Sequence, residues 1–243
     1  MRLTEDLVRL VHREIADTGP LPGFEQFSET DYDSFLQEML KERPPGPVQV
    51  FSYGSLIWKP AFEPVAAGHA VATGWQRAFC LKVMRFRGTP DRPGLMMQID
   101  EGGRCEGIIQ QVDPAREWAD LSALWRREMT NKPPSNLPRW IDVEAAGRPI
   151  RALAFTANHQ SPIYVGKVPD AEVAETLSIA CGHWGSGAEY LRQTVLSLAA
   201  VGIHDPHLWT LQEMVAERIE ERLTGDRQGG VTTVSQAPAQ NSG

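Results

Sequence analysis

Residues 48–58, VQVFSYGSLIW, limit the fold more than any other stretch of the chain. Val48-Gln49-Val50-Phe51 is a short β-branched and aromatic run, bounded upstream by Pro44-Pro45-Gly46-Pro47, and it predicts a strand entering the core. Tyr53-Gly54-Ser55-Leu56 ends that strand. A glycine after an aromatic residue, then a small hydroxyl residue and apolar Leu56-Ile57-Trp58, suits a tight turn whose backbone N–H groups face an anion or a carbonyl oxygen. The same pattern also serves as a plain turn after a strand, and spacing does not choose between the two.

A second stretch carries the chemistry. Asp113-Pro114 predicts an N-cap and first helical position for a helix running through Met129. Along it Trp118, Leu121, Leu124 and Trp125 make an apolar stripe, and Glu128 follows Leu124 by four residues and Trp125 by three. Glu128 is therefore expected to point toward the core, where a carboxylate loses hydration and its pKa rises. Two other readings of the residues stand beside a poised acid: an ion pair with Arg126, Arg127 or a distant arginine, and a stripe that ends one residue early.

In chain order the motifs are Tyr53-Gly54-Ser55-Leu56-Ile57-Trp58, Arg87-Gly88-Thr89-Pro90 with Pro93-Gly94, Leu124-Trp125-Arg126-Arg127-Glu128-Met129, Ser161-Pro162-Ile163-Tyr164-Val165-Gly166, and Gly185-Ser186-Gly187 with Glu189-Tyr190-Leu191. Together they resemble the ChaC family of γ-glutamylcyclotransferases of the glutathione-specific type, from about Val48 to Leu198. The resemblance implies an α+β fold, a small mixed β-barrel flanked by helices. It makes Glu128 the catalytic residue and places Tyr53, Gly54, Ser55, Leu56, Ile57, Trp58, Arg77, Arg87, Tyr164 and Tyr190 at the substrate. It implies a small-molecule substrate, glutathione or another γ-glutamyl compound, with no cofactor and no metal. The chain departs from the family pattern at Asn131 to Pro138, a Pro-rich loop that replaces a shorter tyrosine-containing stretch and is expected to border the pocket. That departure keeps open an enzyme for other γ-glutamyl amides, or a γ-glutamyl-binding protein without turnover.

The remaining chain is expected to form an amphipathic helix from a Thr4 cap to Gly19-Pro20, a second helix over Tyr32 to Lys41, strand from Ala70 to Met84, and a hairpin of Leu95–Ile99 and Cys105–Val112 around Gly102-Gly103. Two strands follow around Gly147-Arg148, then helices over Asp170–Cys181, Ser186–Val201 and Asp205–Leu223. The domain plan is a helical extension at 1–46, one domain at 47–224 and a disordered tail at 225–243.

Lys and Arg number 24 against 31 Asp and Glu, a net charge of −7, which argues against nucleic acid or an anionic membrane as partner. Cys80, Cys105 and Cys181 are scattered and odd in number, which favours a reducing cytoplasm. His204 and His207 lack further ligands at metal spacing, and Ser55 and Ser186 lie outside any G-x-S-x-G, so a serine amidase is only a minor alternative. Oligomeric state is not encoded in any pattern found.

Overall fold

A computed structural model of the protein describes residues 1–229, with side chains to residue 225. The tail expected at 225–243 lies outside the described residues from 230 onward, and residues 225–229 continue the last helix.

The chain opens with α1 (Glu5–Val11), capped by Thr4 at the Leu7 amide, and α2 (Glu29–Lys41), where Ser28 and Asp31 close a capping box. Helix α1 stops well before Gly19. From His12 the backbone is extended, because Arg13 is held across the fold: its N–H donates to Cys181 Sγ at 3.3 Å, and the thiol donates to its carbonyl at 3.5 Å. Helix α2 begins three residues earlier than the apolar spacing predicts, at the box.

Next come β1 (Gln49–Ser52), the single turn α3 (Ser55–Trp58), β2 (Ala66–Val83) and β3 (Gly94–Gln111). The expected hairpin around Gly102-Gly103 is replaced by one continuous strand. Gly74, Gly102 and Gly103 all have positive φ and sit where the β2–β3 register shifts, so the glycines bend a long ribbon and do not reverse it. The reversal is the 84–93 loop. Helix α4 (Glu117–Glu128) starts after a turn in which Asp113 Oδ1 accepts the Ala115 amide, later than Asp113-Pro114 suggested.

Strand β4 (Asn136–Ala145) absorbs the last three residues of the expected Asn131–Pro138 loop and turns at Ala146-Gly147, both with positive φ, into β5 (Arg148–Ala157). The barrel order is β1-β3-β2-β4-β5. Parallel pairings of β5 with β1 at Leu153↔Val50 and with β3 at Thr156↔Ile99 close it, making it mixed. Helix α5 (Asp170–Leu177) ends before Cys181, which instead starts a small ribbon of β6 (Cys181–Gly182) and β7 (Gly185–Ser186). The chain finishes with α6 (Gly187–Ala200) and α7 (Pro206–Gly229).

Alternation along β1 splits the core. Val48 and Val50 join Leu36 of α2 and Leu121, Leu124 and Trp125 of α4, whereas Phe51 and Tyr53 pack in a cluster shared with α5, α6 and α7. Trp118, expected on the stripe, is 45 % exposed, because α4 turns only its Leu121–Trp125 face inward. Among the described residues no helix is long and apolar enough to cross a membrane.

Candidate active site

A cavity of about 440 Å³ opens where the β1–α3 turn, the end of α4, strands β2 and β3 and the start of α6 meet. Of the residues expected at the substrate, Tyr53, Gly54, Ser55, Leu56, Trp58, Arg87, Glu128 and Tyr190 line it. Ile57, Arg77 and Tyr164 do not. Ile57 packs against the core. The Tyr164 hydroxyl donates to Asp100 Oδ2 at 2.8 Å while its ring stacks on His159.

Arg77 lies behind the turn. Its side chain is 3 % exposed, and it donates from Nε to the Tyr53 carbonyl at 2.8 Å, from Nη1 to Asp205 Oδ2 at 2.7 Å, and from Nη2 to the Glu106 carbonyl. Its cation is spent on protein partners, not on the cavity.

Gly54 leaves little room for a side chain. A Cβ there would lie 3.1 Å from Met97 Cε and 3.3 Å from the Tyr190 hydroxyl oxygen. The bare backbone lets Tyr190 approach the turn, and the Ser55 and Leu56 amides, at the start of α3, have no intrahelical acceptor. Tyr190 is buried and its phenol is pushed up to about 12, chiefly by desolvation, so it stays protonated at neutral pH and can donate. Arg87 lies over its ring at 5.3 Å and is anchored by the Ser186 carbonyl at 2.8 Å and Glu189 Oε2 at 3.0 Å.

Glu128 is the last residue of α4, at the inner end of the Leu121–Trp125 face, and its side chain is 15 % exposed. Burial raises its pKa, with Arg127 opposing. Arg127 Nε sits 3.3 Å from Glu128 Oε1, so the cavity position and the ion-pair reading coexist. Desolvation also lowers the Arg127 pKa, which marks this as a weakly hydrated pair.

The carboxylate is fixed by neighbours that sequence reasoning passed over. Asn136 Nδ2 donates to the Glu128 carbonyl at 2.9 Å and reaches Glu128 Oε2 at 3.5 Å. Asn136 Oδ1 in turn accepts from Gln98 Nε2 at 3.0 Å and Ser135 Oγ at 3.1 Å, and Gln98 Oε1 meets the Tyr53 hydroxyl. Arg127 Nη2 donates to Ser55 Oγ at 3.1 Å, so a second route joins Glu128 to the glycine turn. The available signal was a polar residue, Gln98, between apolar Met97 and Ile99, and it shares β3 with two other buried polar residues, Asp100 and Gln110.

The chemistry of this arrangement is that of one weakly solvated carboxylate paired with Arg127, on a wall that also carries Lys59, Arg87 and Arg126. It is the only carboxylate lining the cavity among the described residues. Neither serine has a base: Ser55 Oγ faces Arg127, and Ser186 Oγ accepts the Glu189 amide as an N-cap. Among the described residues no group of three or more His, Cys, Asp and Glu could hold a metal; His207 pairs with Asp170 and His204 stacks on Trp209.

Comparison with known proteins points the same way. The family model described as ChaC-like protein matches residues 48–218. A glutathione-specific γ-glutamylcyclotransferase of Escherichia coli strain K12 is 33 % identical over 179 residues, 73 % of this chain and 77 % of that protein. Glutathione-specific γ-glutamylcyclotransferase 1 of Danio rerio is 28 % identical over 181 residues, covering 72 % of this chain and 91 % of the relative. The crystal structure of a yeast γ-glutamylcyclotransferase specific to glutathione superposes with a TM-score of 0.64 at 19 % identity, over 70 % of this chain and 96 % of that one, which establishes the shared fold.

Proposed function

This chain belongs to the ChaC-like family, and on that premise we propose that it is a γ-glutamylcyclotransferase that cleaves glutathione into 5-oxoproline and Cys-Gly, with Glu128 as the acid–base residue. The observation that carries the role of Glu128 is its standing: the one carboxylate on the cavity wall among the described residues, largely shielded from solvent, with a raised pKa, tied to the glycine turn through Arg127 and Ser55.

The reaction needs no nucleophile from the enzyme. The substrate's α-amine attacks its own γ-carbonyl carbon; the new C–N bond closes a five-membered lactam as the amide C–N bond to cysteine breaks. Glu128 takes the proton from the amine, whose reference pKa is about 8, and returns it to the departing nitrogen. A carboxylate at its ordinary pKa is a weak base for that step, and burial strengthens it. Negative charge building on the γ-carbonyl oxygen, or the fixed charge of the α-carboxylate, is met by the turn amides and by the protonated Tyr190 phenol. Bending the glutamyl chain so that amine faces carbonyl supplies the orientational part of the rate.

Cys80, Cys105 and Cys181 are all free and buried, which supports assigning the enzyme to a reducing compartment, the cytoplasm. A preference for other γ-glutamyl amides is the second reading, favoured by the loop after Glu128, whose Thr130 and Ser135 reach the cavity wall.

Product identity tests the activity. Purified protein incubated with glutathione is expected to release 5-oxoproline and Cys-Gly in equal amounts with no cofactor added. Release of free glutamate would mean that water, not the α-amine, is the attacking group, and no release at all would remove the reading.

A further inference from the structure

The site just described accounts for the γ-glutamyl half of the substrate and leaves the other half unplaced. Two residues on the cavity wall are not explained by packing. Trp184 is 50 % exposed although it lines the cavity, and Phe86 holds a left-handed backbone, φ 68°, which is strained for a bulky residue. They belong to one unit. The rings pack against each other with centroids 4.3 Å apart and planes tilted by 43°, the Trp184 amide donates to the Phe86 carbonyl at 2.8 Å, and a Cβ on Gly182 would come within 2.3 Å of that same carbonyl oxygen. The β6–β7 ribbon, with His183-Trp184 as its two-residue tip, is thus seated on the 84–93 loop.

This unit is gripped from outside the region that the family model matches. Asp17 takes the Arg85 guanidinium in a two-point pair, Nε to Oδ1 and Nη2 to Oδ2, both at 2.7 Å, and lies 3.6 Å from His183 Nδ1. Arg85 covers the Phe86 ring at 5.0 Å. The extended segment after α1, anchored at Arg13 by Cys181, therefore runs along this lip of the cavity and fixes it.

We propose that Phe86 and Trp184 form an aromatic wall that receives the departing half of the substrate, a thiol-bearing dipeptide, and that Asp17 positions this wall through Arg85. The proposal rests on the γ-glutamylcyclotransferase reading and adds to it the basis of leaving-group choice. The geometry favours that half because the γ-glutamyl end is committed to the buried floor at Glu128, Gly54 and Tyr190, so whatever hangs from the scissile nitrogen must extend toward the exposed mouth, where Trp184 stands. A cysteine sulfur against an aromatic face is a favourable contact, and the rings shield it from water.

The test compares glutathione with γ-glutamyl methylamide, which has the same reacting atoms and almost no departing half. In Trp184→Ala, KM for glutathione is expected to rise about tenfold, the order of one lost aromatic contact, while kcat/KM for the methylamide stays within about twofold. Trp184→Phe should keep most of the preference. Asp17→Asn, which touches no substrate, should erode the glutathione-to-methylamide ratio in the same direction; a general loss of folding moves both substrates together and leaves the ratio alone. An unchanged ratio in Trp184→Ala, or an equal fall on both substrates, overturns the wall while wild-type 5-oxoproline release keeps the parent reading standing. Absence of 5-oxoproline from both substrates with the wild type removes both readings.

Discussion

Glu128 sits where a charge is costly, and the cost has a direction that can be measured. Its pKa is raised by burial, so the folded protein holds this proton more tightly than the unfolded chain does. The stability this group contributes is therefore fully present below the unfolded carboxylate pKa and is lost as pH rises through the higher folded value. At pH 7 the ionised form weighs against the fold, and Glu128→Gln is expected to melt at the same temperature as wild type or higher. A clearly lower Tm would show that the Arg127 pair outweighs desolvation. In the proposed acid–base role the sign is opposite, since only the deprotonated form would accept the amine proton. The acid limb of kcat/KM should fall above the ordinary carboxylate range. The inward aim of Glu128 was legible from its spacing to Leu124 and Trp125. The amides that hold it were not, because Gln98 and Asn136 come from separate strands and meet only when the barrel closes. Arg77, which the family resemblance placed at the substrate, serves the glycine turn from behind through the Tyr53 carbonyl, a placement that its charge alone cannot reveal.

At the level of elements, the β1–α3 turn is held by packing from β2 and β3. Gly107 on β3 is where Phe51 and the Ser52 carbonyl cross most closely: a Cβ there would stand 2.5 Å from that oxygen and 2.9 Å from the ring. Gly107→Ala should cost roughly 1–3 kcal/mol by overpacking, read as a lower denaturant midpoint at unchanged m-value. Arg77→Met leaves Asp205 without its buried partner and the Tyr53 carbonyl without a donor. The expected loss is roughly 3–5 kcal/mol, the range for breaking a buried pair, again by denaturant titration. A loss under about 1 kcal/mol would mean that water replaces the guanidinium easily. The strands and most helices were legible from alternation and caps, down to Ser186 and Asp205. The β2–β3 ribbon was not, because a Gly-Gly pair between apolar runs has the same composition whether the chain reverses or bends; the pairing partner decides, and that is a long-range fact. Helix α1 was overestimated for the same reason, its continuation being claimed by Cys181 and Arg85.

Across the whole molecule, the barrel and its covering helices leave no thiol at the surface among the described residues. Desolvation pushes the Cys80 thiol up to about 12 and the Cys105 thiol to about 11, and Cys181 is buried against Arg13. A water-soluble maleimide at pH 8 should label none of the three in the native protein and all three after unfolding. Fast labelling of the native protein would mean that one of these packed regions opens. The family and the fold were legible in the ordered motifs from Tyr53 to Tyr190, whereas the engagement of residues 13–17 with the cavity lip lay outside every motif. The account as a whole depends on one proton relay, and steady-state release of 5-oxoproline from glutathione by wild type and Glu128→Gln tests it directly. The predicted result is a kcat lowered by roughly 10²–10⁴-fold with KM little changed, the loss expected when a general base is removed. A Gln variant that turns over glutathione at near the wild-type rate would contradict it.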